Sequence, residues 1–371
     1  MSAAGTLWGL AYGDVLGAPI ESWSETDIAT VFGAYSSPPA PYPVAVPLSK
    51  RARLRPPGLH TDDTQQALAL IAVCLSGYSN LAWSRCLVDG ARAKAWRGTG
   101  RRFDAAVEKL HKGAPPEKSG SPSAGIGAAM RVGVLGALYR DQSRKLAEIS
   151  LESSAVTHAD LRSIALAYAV AFASAQLVNG KSAADVRLTL ADAVCEAEDE
   201  WLMGRTSWSV DRAGRHQLSL CLARVLAAAP AGGDVKAIGA LVLKTAAPYM
   251  DPKAMGSPAH QNHAFALLGG LQALACALVD DADPVATLTA IVRMGADTDT
   301  VAAIAGSLLG ARFGDGWVPK DQIADRDRIA RFATALEVRG AAPESVAQLV
   351  SAEAALTAQE AAFQANPAWP K

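Results

Sequence analysis

The sequence feature that most constrains the fold is a wholly apolar run, Val301-Ala302-Ala303-Ile304-Ala305-Gly306. It has no polar face, so a helix formed there has to be buried on every side. The four residues before it, Asp297-Thr298-Asp299-Thr300, carry two carboxylates and two hydroxyls. Such a turn contributes little to a hydrophobic core but suits a hard cation. A second acidic turn, Thr61-Asp62-Asp63-Thr64, also opens an apolar helix, and we expect the two acidic turns to face each other.

Helical patterning extends over most of the chain. Alanine and leucine dominate, alternation of β-branched residues is nearly absent, and apolar positions recur at helical spacing. Half of the 371 residues are apolar, which is enough for a large core. No fixed-period repeat or linker composition divides the chain. We therefore predict an all-α fold, a compact multi-helix bundle that forms a single domain over residues 1–371.

The patterning also predicts where helices lie and where they do not. We expect the first helix to end within residues 13–21, where glycines and a proline stop it. A proline-rich loop is predicted over residues 33–58, and because it connects Glu21 to the acidic turn at Thr61 we expect it to border the site. Residues 113–127 are predicted to be irregular. The main helices are predicted at 6–16, 64–75, 81–96, 128–139, 145–150, 161–177, 182–200, 218–228, 235–245, 263–278, 284–293, 301–309, 322–336 and 343–364.

Net charge and cysteine content limit the partners and the cellular location that we expect. A formal net charge of -1 provides no long-range field for nucleic acid or an anionic membrane, so we expect neither as a partner. Five scattered cysteines without a C-x-x-C pair favour a reducing, cytoplasmic location. The first residues lack the basic region of a signal peptide. We also expect no apolar run as long as the roughly 18 residues of a membrane-spanning helix.

The acidic turns are the candidate metal site. Before a helix is established, neighbouring side chains can converge on one point, as they cannot within it. Together the turns supply four carboxylates and several hydroxyls, a ligand set that suits Mg²⁺, Mn²⁺ or Ca²⁺ and not zinc. Four carboxylates exceed what one Mg²⁺ usually takes, which favours two ions. Either turn alone is also explained as a helix N-cap followed by acids that the helix dipole favours.

Five motifs follow one another along the chain. They are Gly9-Leu10-Ala11-Tyr12-Gly13-Asp14-Val15-Leu16-Gly17-Ala18-Pro19-Ile20-Glu21, Thr61-Asp62-Asp63-Thr64-Gln65, Gly127-Ala128-Ala129-Met130-Arg131, Thr157-His158, and Asp297-Thr298-Asp299-Thr300-Val301-Ala302-Ala303-Ile304-Ala305-Gly306. In this order they resemble the ADP-ribosylglycohydrolase family. The paired acidic motifs are the specific ones, and the others are moderately so.

The resemblance implies an all-α fold and two Mg²⁺ ions, with Mn²⁺ as a substitute. It implies hydrolysis of the bond between the ribose anomeric carbon of ADP-ribose and its acceptor. Glu21 corresponds to a glutamate that lies beside the metals near the ribose in the family. The implied metal ligands are Thr61, Asp62, Asp63, Asp297, Asp299 and Thr300.

Carboxylates suit this chemistry because glycoside hydrolysis passes through an oxocarbenium-like state flanked by acids. Glu21 or one of the aspartates, Asp62 or Asp299, is expected to accept the proton of the attacking water. For Glu21 alone, the alternative is a solvated loop acid.

The segment Ser123-Ala124-Gly125-Ile126-Gly127 is predicted to cradle a pyrophosphate with backbone N–H groups and the following helix start. We expect Ser123, Gly125 and Gly127 to contact the substrate, although such a turn is also common without a ligand. Family members often carry asparagine where Ile126 stands, so one side-chain donor is missing here. His158 is expected to contact the substrate, and Arg131 to brace the loop.

The expected ligand is ADP-ribose or an ADP-ribosylated substrate, and three functions remain open. The first is hydrolysis of an ADP-ribose conjugate whose acceptor is arginine, serine, an acetyl group or another group. The second is a binding module of the same fold, favoured by Ile126 and the proline-rich loop. The third is a metal-dependent phosphohydrolase, because a two-metal carboxylate site suits phosphoryl transfer as well.

Overall fold

A computed structural model describes residues 2–51, 54–230, 232–251 and 259–365 of the chain. Within these ranges the regular structure is helical, with isolated bridges and no strand, which confirms the all-α prediction. The described α-helices are α1 (Ala3–Gly17), α2 (Glu25–Phe32), α3 (Leu48–Arg51), α4 (Asp62–Leu75), α5 (Asn80–Arg92), α6 (Arg101–His111), α7 (Pro116–Ser119), α8 (Gly133–Leu138), α9 (Ser143–Ala155), α10 (Leu161–Val178), α11 (Ala183–Gly204), α12 (Gln217–Ala228), α13 (Val235–Ala246), α14 (Leu271–Ala277), α15 (Pro284–Arg293), α16 (Thr298–Phe313), α17 (Arg326–Val338) and α18 (Val346–Gln364).

The centre of the fold is an antiparallel pair, α1 and α16, whose backbones touch. A Cβ atom on Gly9 would lie 2.0 Å from the carbonyl oxygen of Gly306, and one on Gly13 would lie 2.1 Å from that of Ala302. Every residue from Val301 to Ala311 is buried, as the apolar run predicts. The contact places the end of α1 directly beside the acidic start of α16. The α1 glycines in this contact are Gly5, Gly9, Gly13 and Gly17.

The glycines of α1 therefore serve packing and not termination. The first helix was predicted over residues 6–16 with its end within residues 13–21, and α1 does end there, at Gly17. The glycines were interpreted as helix-ending residues, however, and Gly13 lies inside the helix. Glycines spaced four residues apart lie on one face of a helix, and this spacing was the available signal. The chain leaves the helical direction only at the 3-10 turn Ala18–Ile20, which contains Pro19.

Three segments differ from their predictions. The loop over residues 33–58 contains the short helix α3. The single helix predicted over residues 128–139 is divided into the 3-10 turn Ala129–Arg131 and α8. Helix α6 was not predicted, because charged residues dominate it, yet its buried residues Phe103, Ala106 and Val107 have amphipathic helical spacing.

Helix α10 contradicts the expectation that no apolar run reaches membrane-spanning length. It has 18 residues with a mean hydropathy of 1.5, so it is long and apolar enough by composition. However, 78% of the segment is buried inside the protein. Core helices of soluble proteins pass the same test, so this helix alone is weak support for a membrane span.

Candidate active site

The start of α4 is held by a carboxylate from α1. Asp14 is fully buried and accepts hydrogen bonds from the backbone N–H groups of Thr61 (2.9 Å) and Thr64 (3.0 Å). The two threonine hydroxyls also donate to it, at 2.9 Å and 2.6 Å. Asp14 therefore caps α4 from another helix, and it fixes the first acidic turn relative to α1.

The second acidic turn is fixed to α1 as well. The Thr298 hydroxyl donates to the carbonyl oxygen of Gly17 at 2.8 Å. The backbone N–H of Ser22 donates to the carbonyl oxygen of Ala296 at 2.7 Å. The Thr298 hydroxyl is therefore already engaged in a hydrogen bond, whereas Thr300 faces a cavity. Because both turns are anchored to the same end of α1, they meet there.

That cavity has a volume of about 800 Å³ and unites most of the predicted site. The predicted residues Thr61, Asp63 and Asp299 are buried and do not line it. Asp62 of the first acidic turn lines the same cavity as Asp297 and Thr300 of the second, so the two turns meet there. The charge of Asp297 also contributes to raising the pKa of Asp63. The predicted residues in the lining are Glu21, Asp62, Ser123, Gly125, Gly127, His158, Asp297 and Thr300.

Negative charge is concentrated on this cluster, and the nearby Arg55 compensates only part of it. Burial, together with neighbouring acids, raises the pKa of Asp62 to about 8 and that of Asp297 to about 6. Burial and neighbouring acids also raise the pKa of Asp63 and Asp299 well above the ordinary range. In addition, Asp63 Oδ1 is buried and has no hydrogen-bond partner. A hard cation would satisfy this unpaired oxygen and the closely spaced carboxylates around it, so the donor set fits Mg²⁺.

The glycine segment is arranged differently from its prediction. Its backbone packs against His158. A Cβ atom on Gly127 would lie only 3.4 Å from His158 Nε2. The Ser123 hydroxyl already accepts the N–H of Gly125 at 3.2 Å. A 3-10 turn of three residues follows the segment, so the expected contribution of a full helix dipole is absent there.

Arg131 braces this segment, as predicted. It is fully buried and donates to Gln66 Oε1, to the Gly127 carbonyl oxygen (3.4 Å) and to Thr157 Oγ1 (2.8 Å). Burial and the nearby Arg131 lower the pKa of His158 to about 3, so this imidazole is neutral at physiological pH.

Three arginines near the cavity were not predicted as site residues. Arg101 and Arg102, at the start of α6, line the cavity. Arg55, from the proline-rich loop, is buried and forms an ion pair with Glu360 of α18. No local motif marks these residues, because the fold brings them to the acidic turns from distant segments. The described residues of the proline-rich loop do not line the cavity themselves.

A different group of metal-type donors lies outside this cavity. Donor atoms of Cys195, Asp199 and His216 lie within 4.8 Å of one another, and among the described residues no trio from the acidic turns is as tight. Asp199 Oδ1 there already accepts hydrogen bonds from Arg215 (2.7 Å) and lies 2.7 Å from His216 Nε2. This trio is a satisfied ion-pair network, so we do not assign it to the predicted metal centre.

Comparisons with known proteins agree with the geometry. The family model for ADP-ribosylglycohydrolase matches residues 2–356. The chain is 24% identical to the uncharacterized protein YegU of Escherichia coli (strain K12), over 90% of this chain and 95% of that protein. A solved ADP-ribosylglycohydrolase-related protein complex has the same fold, with a TM-score of 0.61, 22% identity and coverage of 91% of this chain and 96% of that one. The chain therefore belongs to the ADP-ribosylglycohydrolase family.

Proposed function

We propose that this protein is a Mg²⁺-dependent hydrolase that releases ADP-ribose from a conjugate by cleaving the bond at the ribose anomeric carbon. Membership of the family indicates a glycohydrolase. The observation that supports the finer proposal is a single cavity lined by both acidic turns, by Glu21 and by the glycine segment with His158. Acids that would hold metal ions, together with the glycine segment and a neutral imidazole, suit a ligand with a ribose and a pyrophosphate.

The acidic turns would hold two Mg²⁺ ions, with Mn²⁺ as a substitute. When bound, the ions would orient the ribose hydroxyls and make a water more acidic. Asp14 contributes indirectly, because its hydrogen bonds keep Thr61 and the following aspartates in place. The proposed ligands are Thr61, Asp62, Asp63, Asp297, Asp299 and Thr300.

In the chemical step, Glu21 or one of the aspartates, Asp62 or Asp299, accepts a proton from the attacking water. The water oxygen forms a bond to the anomeric carbon as the bond to the acceptor breaks, and the acceptor leaves with a proton. His158 is neutral at the working pH, so it orients the ligand through hydrogen bonds and does not contribute a charge. Ser123, Gly125 and Gly127 lie where the pyrophosphate would bind.

The test is a panel of ADP-ribosyl conjugates incubated with the protein in Mg²⁺ or in EDTA. We expect release of intact ADP-ribose in Mg²⁺ only, and loss of turnover by at least about 100-fold in Asp299→Asn, because each step depends on the placed ions. The exposed acid of α17, Asp327→Asn, is the matched control and should retain full turnover.

Two outcomes would contradict the proposal. Failure of every conjugate to release ADP-ribose in a metal-dependent way would remove the hydrolase and leave a binding module. Products of AMP and ribose phosphate, in place of intact ADP-ribose, would show a phosphohydrolase.

A further inference from the structure

The cavity has a basic wall, formed by Arg101 and Arg102. Both residues line the cavity and are exposed to solvent. The Ser121 hydroxyl donates to the carbonyl oxygen of Arg102 at 2.7 Å, which fixes the start of α6 beside the glycine segment. A group bound in the cavity therefore has two positive charges in its surroundings.

A third guanidinium lies behind this wall. A Cβ atom on Gly98 would lie 2.9 Å from Arg55 Nη2 and 3.4 Å from Asp62 Oδ1, so only a glycine separates the buried Arg55 from the metal end. Glu360 pairs with Arg55 on its other side. Positive charge therefore also lies close to Asp62, at the metal end of the cavity.

No carboxylate in the described lining is left to receive a cationic acceptor. The acids that line the cavity are Glu21, Asp62 and Asp297, and the proposed function assigns each of them a role. Asp104 follows the basic wall but lines a neighbouring cavity and accepts a hydrogen bond from Thr99 at 2.8 Å. Recognition of a guanidinium normally uses a free carboxylate that binds both of its N–H edges. The lining provides positive charge instead, from Arg101 and Arg102.

On the basis of the proposed function, we infer that the preferred substrate is a conjugate in which ADP-ribose is joined through oxygen to an uncharged acceptor. A conjugate of an arginine side chain is disfavoured, because its guanidinium meets Arg101 and Arg102 and gains no partner. The expected discrimination is on the order of tenfold or more, since two positive charges act at short range in a partly desolvated cavity.

The experiment compares two peptides that are identical except for the acceptor, one ADP-ribosylated on serine and one on arginine. Because the two substrates share the ADP-ribosyl part, any effect of a variant on pyrophosphate binding cancels in the ratio of their kcat/KM values. We expect the native protein to favour the serine conjugate. The variant R101E/R102E should shift the ratio toward arginine by about tenfold or more.

The control variant R85E/R224E carries the same charge change on exposed arginines outside the cavity and should keep the native ratio. The hydrogen bond from Ser121 ends on the backbone of Arg102, so the double substitution leaves it in place. Equilibrium binding of both conjugates to Glu21→Gln gives the same comparison without turnover.

The possible outcomes separate the inference from the function on which it rests. Equal or preferred cleavage of the arginine conjugate, or a ratio that R101E/R102E leaves unchanged, would overturn the inference alone. If neither conjugate is cleaved, the hydrolase proposal fails, and the binding ratio still decides the preference. If neither conjugate binds to Glu21→Gln, the inference is overturned as well.

Discussion

At the residue scale, Asp14 shows how a single polar side chain can organise a site without belonging to its chemistry. It is the one charged residue in α1, and its carboxylate accepts from both threonines that flank the aspartates of α4. The structure shows that it acts as a helix cap. The helix that it caps is α4, which follows almost fifty residues later.

We predict that Asp14→Asn lowers the free energy of unfolding by about 1–3 kcal/mol, because an amide replaces an acceptor oxygen and leaves buried N–H and O–H donors unpaired. Mg²⁺ affinity, measured by titration calorimetry, should fall in the same variant. Asp27→Asn, on the exposed α2, is the control and should change neither quantity. An unchanged Mg²⁺ affinity in Asp14→Asn would contradict the proposed positioning of the acidic turn.

The acidic turns, Glu21 and the glycine segment could be recognised from the sequence because each is a compact local motif. Arg55, Arg101 and Arg102 could not be found in this way, since their nearness to the cavity depends on how α4, α6 and the proline-rich loop pack. Their roles in the cavity are a product of tertiary structure, and only the fold reveals them.

At the scale of elements, the contact between α1 and α16 decides whether the acidic turns meet. Glycines let the two backbones approach more closely than any side chain permits. Helix positions along the chain could be predicted from periodicity, but the glycines of this contact were interpreted only as helix-ending residues. Their packing role was missed because glycine has two uses, as a helix terminator and as a contact surface.

We predict that Gly9→Ala and Gly306→Ala each lower the free energy of unfolding by about 3 kcal/mol or more, since the new methyl group overlaps backbone atoms that cannot move separately. The Cβ atoms would lie 2.0 Å and 2.1 Å from carbonyl oxygens of the facing helix. Urea denaturation measures the change.

The matched control is Gly204→Ala in α11, where a Cβ atom meets nothing within 4 Å. Alanine has the higher helix propensity, so this variant should be as stable as the native protein or slightly more stable. Equal stability of Gly9→Ala and Gly204→Ala would show that the helix pair is not the tight contact described.

At the scale of the whole molecule, α18 supports the first acidic turn through buried contacts. Glu353 is fully buried, contacts Arg97 at 2.8 Å and accepts from Gln65 of α4 at 2.7 Å. The carbonyl oxygen of Arg97 in turn accepts the backbone N–H of Asp62 at 2.9 Å. The C-terminal helix is therefore linked to the first acidic turn through one buried network.

The last prediction concerns the pH dependence of stability. Burial alone would raise the pKa of Glu353, but His60, Arg97 and Arg328 lower it well below the ordinary value. The unfolded carboxylate takes up a proton near pH 4.3, before the folded one does, so its stabilising contribution is complete above that pH and is lost as the pH falls. Glu353→Gln should be less stable at pH 7 by about 3 kcal/mol or more, since it leaves buried arginine charge unpaired.

The difference between the native protein and Glu353→Gln should narrow as the pH falls from 5 toward 3, because the unfolded native chain binds a proton on Glu353 in this range and the glutamine variant does not. Thermal or urea unfolding at a series of pH values measures it. The exposed Glu196→Gln should match the native protein throughout. A difference that stays constant with pH would mean that Glu353 acts through packing and not through its charge, and the link from α18 to the acidic turn would then be steric.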